Sequence, residues 1–533
     1  MIGLLEALDV VFGTFFVVVV YRLLTTRRQG PLPPGPKGLP IIGNVLDMPT
    51  SHEWLTFAKW GVQWGDIVSV NLLGQPMVIL NSAEIASELL EKRSAIYSDR
   101  PTLVMSGEMV GWKNALGLVR YNDKFREYRK FISRKMGTRS QVQEFYELQE
   151  VETHTFTRRV LKEPENLAAH IRRTAGAIIL KISYGYTVKD GTDPLVDLVD
   201  HAMDQFSEFT RPGAFLVDVL PVLRHFPSWF PGAGFKAKVP AWAKTMNDMA
   251  DVPLEFVKDQ MQRGTNVPNF TSDLLESENI SPEREFNIKW AAASLYAGKN
   301  SIPVLCSIVL CLISPLTQRR AALTGGADTT VSAIYSFYYA MMAYPEVQQR
   351  AQEEIDQIVG GERLPRVEDR ENLPYVDALV KEVFRFHPIA PLGLPHRLTH
   401  DDEFQGYHLP KDTILIANIW KFLHDPDVYP NPSVFDPTRF LRSDGHTPQR
   451  DPRDLAFGFG RRICPGMNLA DTSVFISCAM SLAVFDIRKP VENGRVIEPV
   501  YGALSGTVSH PLPFQCDIKP RGAKAEALVL SAE

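Results

Sequence analysis

The stretch Phe457-Gly458-Phe459-Gly460-Arg461-Arg462-Ile463-Cys464-Pro465-Gly466 holds the residues best suited to chemistry. A cysteine thiolate is a soft metal ligand, and in the axial position it pushes electron density onto a haem iron that must cleave an O–O bond. Such a sulfur needs backbone N–H groups around it, an aromatic shield and main chain close by. Gly460 and Gly466 permit tight turns and close approach, and Phe457 is an aromatic at the head of the loop. Arg462, just before the sulfur, can pair with an anionic carboxylate of the bound group. Met467 to Leu482 reads as a helix starting beside the cysteine, with its N-terminal dipole favouring a thiolate. Taken alone, a cysteine packed in a glycine-rich turn fits the same residues.

The elements that must position this loop read as mainly helical. Asp123 to about Leu295 carries helical patterns with a proline-rich interruption between Pro212 and Pro240, and Tyr344 to Phe386 returns to long helical periods. Ile67 to Leu80 reads as two short strands around Gly74-Gln75-Pro76, and Glu403 to Ile419 as further strands. The predicted fold class is mainly α with small β-sheets, one large domain behind an N-terminal transmembrane helix. At 533 residues, 45% hydrophobic and 22% charged, the chain can bury a large core. A formal charge of -5 gives no support to nucleic-acid binding. The five cysteines are scattered and form no CxxC pair, which favours neither a disulfide framework nor a zinc site. No GxGxxG opens a βαβ unit, so a nicotinamide nucleotide is not expected to bind here.

Phe457, Gly460, Arg462, Cys464 and Gly466 match FxxGxRxCxG at every fixed position, and the chain resembles the cytochrome P450 family. The resemblance spans about residues 31 to 521, and the wording is similar to fungal microsomal members of the O-methylsterigmatocystin oxidoreductase type. It implies haem b as cofactor, with Cys464 as the axial ligand. It makes Glu382 and Arg385 the ExxR pair, met by Arg439 from Phe435-Asp436-Pro437-Thr438-Arg439-Phe440. It places Arg100, Arg129 and His396 against the haem propionates, with Phe125 where the family has a tryptophan that donates a hydrogen bond. Gly325-Gly326-Ala327-Asp328-Thr329-Thr330 resembles the distal motif in which the acid and the first threonine, here Asp328 and Thr329, deliver protons to bound oxygen. As an isolated hexapeptide it is equally a capped helix start.

The implied activity is insertion of one oxygen atom from O2 into a lipophilic organic substrate, in fungal secondary metabolism or xenobiotic oxidation. A haem-thiolate isomerase or dehydratase, or a non-catalytic haem-binding membrane protein, is the alternative. Pocket-shaping residues are expected around Leu103 to Leu118, Ile389 to Leu394 and Gly502 to Ser505. Electrons should come from an NADPH-cytochrome P450 reductase docking on Lys124, Arg126, Arg129, Lys130, Arg134, Lys135 and Arg461.

Residues 1–24 read as a membrane anchor, and the basic residues after it place the body in the cytosol at the endoplasmic reticulum membrane, single-pass. Residues 25–43 read as a basic, proline-rich linker, 44–521 as the monooxygenase domain and 522–533 as a C-terminal tail. Residues 299–325 break the pattern. Removing them joins Tyr296-Ala297-Gly298 to Gly326-Ala327-Asp328, an unbroken distal helix, and Gly298-Lys299 and Thr324-Gly325 can be encoded with splice donor and acceptor sites. The segment reads as the translation of a retained intron. A true insertion loop and a membrane-dipping hairpin are the other readings.

Overall fold

The computed structural model describes residues 30–189, 191–210, 215–218, 221–230, 232–276, 280–296, 328–442, 445 and 447–531. The expected anchor and the 299–325 segment lie outside the described residues. Helices dominate: α1 (Glu53–Trp64), α2 (Asp123–Met136), α3 (Tyr146–Lys162), α4 (Leu167–Tyr184), α5 (Pro194–Thr210), α6 (Val239–Gln262) and α7 (Pro282–Tyr296). The second half adds α8 (Asp328–Ala343), α9 (Pro345–Ile358), α10 (Pro374–Phe386) and α11 (Met467–Val484). Among the described residues, the proline-rich stretch between α5 and α6 holds short 3-10 turns.

α11 is the centre of the packing. Its apolar residues are spread around the helix because it is surrounded by α3, α8, α9 and α10. Among the described residues it alone is long and apolar enough to cross a bilayer, yet it is core: Val474, Phe475 and Ile476 are fully buried. α2 packs on α7, and its C-cap carbonyl at Gly137 accepts from the Asn468 side chain of α11 at 3.1 Å. The Asn122 side chain accepts from the Phe125 N–H at the start of α2, and Arg134 and Lys135 occupy its last turn, as the helix dipole favours.

The main sheet has β1 (Ile67–Leu72), β2 (Gln75–Leu80), β3 (His396–Arg397) and β4 (Ile414–Ala417), in the order β1-β2-β4-β3. β1 and β2 are antiparallel with Ile67 opposite Leu80, β2 and β4 are parallel, and His396 in β3 faces Leu415. The hairpin turn is Leu73-Gly74, at φ of 51° and 91°, so Gln75 and Pro76 belong to the strand and not to the turn. Pro76 is tolerated because it sits outside the Met77–Leu80 run that bonds to β4. The proline-rich linker lies against β1, where the Ser69 N–H donates to the Pro34 carbonyl at 2.8 Å. Of the expected tail, Ala523–Leu530 is a helix whose Val529 is fully buried, with its carbonyl 3.0 Å from His154 Nε2 on α3.

Candidate functional site

A one-turn helix (Arg453–Ala456) leads into the cysteine loop, and α11 leads out of it. The Cys464 N–H donates to the Phe457 carbonyl at 2.9 Å and closes the loop on itself. Gly460 stands at a φ of 52°, and a Cβ there would come within 2.9 Å of Glu91 Cα. No other residue fits that conformation and that contact without a shift. Phe457 rests on Phe384 of α10 with ring centroids 5.3 Å apart, and Gly466 is the N-cap of α11.

Cys464 faces a cleft with about 1100 Å³ of empty space, part of it open to solvent. Ile132, Met136, Ile178 and Leu469 make its walls apolar, and three arginines (Arg100, Arg129, Arg462) enter it. Among the described lining residues there is no carboxylate. Arg100 is 3% exposed and donates only to the carbonyls of Gly117, Leu394 and Pro395, at 2.6 to 3.0 Å. Arg462 donates to the carbonyls of Ser98 and Val119 at 2.7 and 2.8 Å, and its guanidinium lies 3.8 Å above the Phe125 ring. Arg129 donates to the Ile463 carbonyl at 2.6 Å, next to the sulfur's own residue.

Burial, with Arg462 as a neighbouring like charge, holds Arg100 well below the usual arginine range, and burial pushes Arg462 down to about 9. His396 lies beside both, and its Nδ1–H donates to the Tyr97 carbonyl at 2.7 Å. Burial and then the Arg100 charge keep it far below the ordinary imidazole value, hence neutral. Cations gathered in this way against apolar walls call for an anion.

Glu382 and Arg385 sit one turn apart on α10, both fully buried, joined by two bonds of 2.7 and 2.8 Å. Arg439 reaches the same carboxylate at 3.4 Å, and the Asp436 N–H donates to it at 2.8 Å. Arg385 also donates to the carbonyls of Leu423, Pro432 and Val434, which fixes the meander leading to the cysteine loop. Burial raises the Glu382 carboxyl, and Arg385 opposes that rise.

Thr329 and Thr330 on α8 line the cleft. Asp328 opens that helix, and the disposition of its side chain lies outside the described residues. Leu116, Gly117 and Leu394 reach the cleft as expected of their segments, whereas Gly502 to Ser505 do not line it. Instead the turn after them is tied to α8 by the Ser332 hydroxyl, which donates to the Ser509 carbonyl at 2.6 Å. Sequence reasoning missed the walls given by Ala175, Ile178 and Ile179, although their i, i+3, i+4 spacing on α4 marks one face. Of the expected docking cations, Arg129 is turned inward, and Lys135 is paired with Glu144 and Asp273 at 2.8 and 2.9 Å. Arg126, Lys130, Arg134 and Arg461 are exposed.

The cytochrome P450 family model matches residues 33–296 and 318–516. The chain belongs to the cytochrome P450 family. It is 55% identical over 511 residues to cytochrome P450 monooxygenase 208 of Postia placenta, covering 96% of this chain and 94% of that protein. It is 47% identical over 504 residues to cytochrome P450 monooxygenase claR of Ampulloclitocybe clavipes, covering 94% and 89%. It is also 39% identical over 524 residues to cytochrome P450 monooxygenase ppsD of Aspergillus oryzae, covering 97% and 94%. This P450 is therefore a haem-thiolate monooxygenase that uses O2, a small-molecule substrate and a redox partner. The cleft fits such a group: it offers one cysteine, apolar walls for a flat macrocycle and buried cations without carboxylates for its acidic edge.

Proposed function

We propose that this P450 uses Cys464 as the thiolate ligand of haem b and oxidises a lipophilic organic substrate in fungal secondary metabolism. One observation carries the reading: Cys464 shares an apolar cleft with Arg100, Arg129 and Arg462, and no described carboxylate lines it. When bound, the haem supplies the activation of O2 and the insertion of one oxygen atom. Arg100, Arg462 and Arg129 bind and orient its acidic groups, Phe125 holds the Arg462 plane by stacking, and neutral His396, its one N–H spent on the Tyr97 carbonyl, lies beside them without a donor for a carboxylate. The Thr329 hydroxyl holds a proton-bearing water in the cleft, and Asp328 relays the proton to it. Ile132, Ile178, Leu295 and Leu469 exclude bulk water and select an apolar substrate.

The electron donor is an NADPH-cytochrome P450 reductase, attracted by exposed Arg126, Lys130, Arg134 and Arg461. Residues 1–24 anchor the protein in the endoplasmic reticulum membrane with the body in the cytosol. Asn269, within an Asn-Phe-Thr sequon, supports that side: it is 4% exposed and its side chain accepts from the Thr271 and Ser272 amides. Residues 299–325 are the translation of a retained intron, a reading supported over 299–317 by the break in the family match, which resumes at 318. Finding these residues in the spliced transcript would refute it.

The test of function is turnover of a lipophilic substrate panel with reductase, NADPH and isotopically labelled O2. A product carrying one labelled oxygen is expected, at a rate that falls with rising ionic strength. Rearranged or dehydrated products without label would contradict the reading.

A further inference from the structure

The backbone bonds of the Cys464 loop run within residues 455–467, so apart from the Arg129 and Arg462 contacts its placement against the body depends on what holds the two chain segments that enter and leave it. Those segments meet at Asp471, seven residues past the sulfur on α11 and 4% exposed. Its carboxylate accepts from Arg453, on the turn before the loop, at 3.1 and 3.2 Å. It also accepts from Arg370, in a 3-10 turn before α10, at 2.8 and 3.1 Å. Each arginine has a second partner: Asp451 at 2.6 Å for Arg453, and Asp377 at 2.6 Å for Arg370. Lys381 completes the set against Asp377 at 2.9 Å. Three cations thus face three carboxylates, in contrast to the cleft, where the arginines have none. Arg370 is further held 4.8 Å above the Phe475 ring of α11.

We propose that Asp471 is a positioning residue for the Cys464 sulfur, pinning both flanks of the loop to the α10 layer through Arg453 and Arg370. The inference rests on the reading of Cys464 as the haem ligand. It goes beyond it in assigning the loop's rigidity to an ion cluster outside the cleft. A buried carboxylate shared by two guanidiniums fixes direction as well as distance, because each fork admits few geometries. Removing its charge leaves Arg453 and Arg370 with one partner each and frees the entering segment from the leaving one.

The test takes whichever form binds haem, the 533-residue chain or the one lacking residues 299–325, and compares it with its Asp471→Asn and Asp471→Glu variants by hydrogen exchange across residues 453–475 and by the spectrum of the reduced carbon-monoxide complex. Asp471→Asn should speed exchange of the amides of 457–470 about tenfold while those of α4 and α9 stay unchanged. It should also convert part of the thiolate-type band to the shorter-wavelength band of a protonated or displaced cysteine, with Asp471→Glu restoring both. Wild-type exchange and a wild-type band in Asp471→Asn would overturn the proposal. So would acceleration spread evenly over the chain, which is the mark of a stability effect alone. If Asp471→Asn fails to fold, Arg453→Gln, which breaks only the entering arm, carries the same two outcomes. A Cys464→Ser chain that kept the thiolate-type band would overturn the ligand reading instead, and the exchange pattern would still decide the clamp.

Discussion

Arg385 and Arg100 are both buried, with 0% and 3% of their surface exposed, and they differ in what neutralises them. Arg385 is forked onto Glu382, so the pair is complete within the protein. Glu382→Ala leaves that guanidinium buried without its counter-charge, and denaturant unfolding should show a loss of about 3–5 kcal/mol. Arg100 has carbonyl partners and no carboxylate. Arg100→Leu should therefore leave the far-ultraviolet circular dichroism unchanged and release haem to an apo-globin acceptor about tenfold faster, the scale of one lost charged hydrogen bond. Unaltered release would remove Arg100 from the haem site. The residues of the loop and of the Glu382 cluster were legible in the sequence because both their type and their order are constrained by chemistry. Asp471 was not: its partners Arg453 and Arg370 lie 18 and 101 residues away, and no local spacing announces them.

Elements place these residues by contacts that single substitutions can break. Gly460 combines a φ of 52° with the approach of Glu91 Cα, 2.9 Å from where a Cβ would sit. Gly460→Ala should cost about 1–3 kcal/mol from backbone strain alone, seen in the unfolding midpoint together with reduced haem content. His387, at the end of α10, ties that helix to the chain following the 502–505 turn: its Nε2–H donates to the Ser509 carbonyl at 3.1 Å, and Nδ1 faces the Tyr501 hydroxyl at 3.1 Å.

Burial pushes His387 down to about 4 from an ordinary 6.5. The folded protein thus prefers the neutral ring, a stabilisation fully present above pH 6.5 and lost as pH falls through 4. Melting temperature against pH should drop across that window, and His387→Asn should flatten the drop. An equal slope in both proteins would show that His387 does not carry it. Helix positions were legible from periodicity and proline breaks. The turn, expected around Gly74-Gln75-Pro76, is Leu73-Gly74, because Pro76 reads as a turn former although it lies outside the run that bonds to β4. The spacing of Ala175, Ile178 and Ile179 marks an apolar face of α4 but not its role, since an apolar cleft wall and an apolar core have the same composition.

On the scale of the whole molecule, a single helical body built around α11 brings the loop at 457–466 and the start of α8 to one cleft. The fold class was legible because the helices are long and the strands short. The most direct measurement is the carbon-monoxide difference spectrum of three reduced chains: the 533-residue form, one lacking 299–325, and a Cys464→Ser variant of whichever binds haem. The account predicts a thiolate-type Soret band in the shortened chain, its absence from the 533-residue form, and its loss on Cys464→Ser. The same band in both lengths would make the segment a tolerated loop. A thiolate-type band that survives Cys464→Ser, or no such band in either length, would contradict the account at its centre.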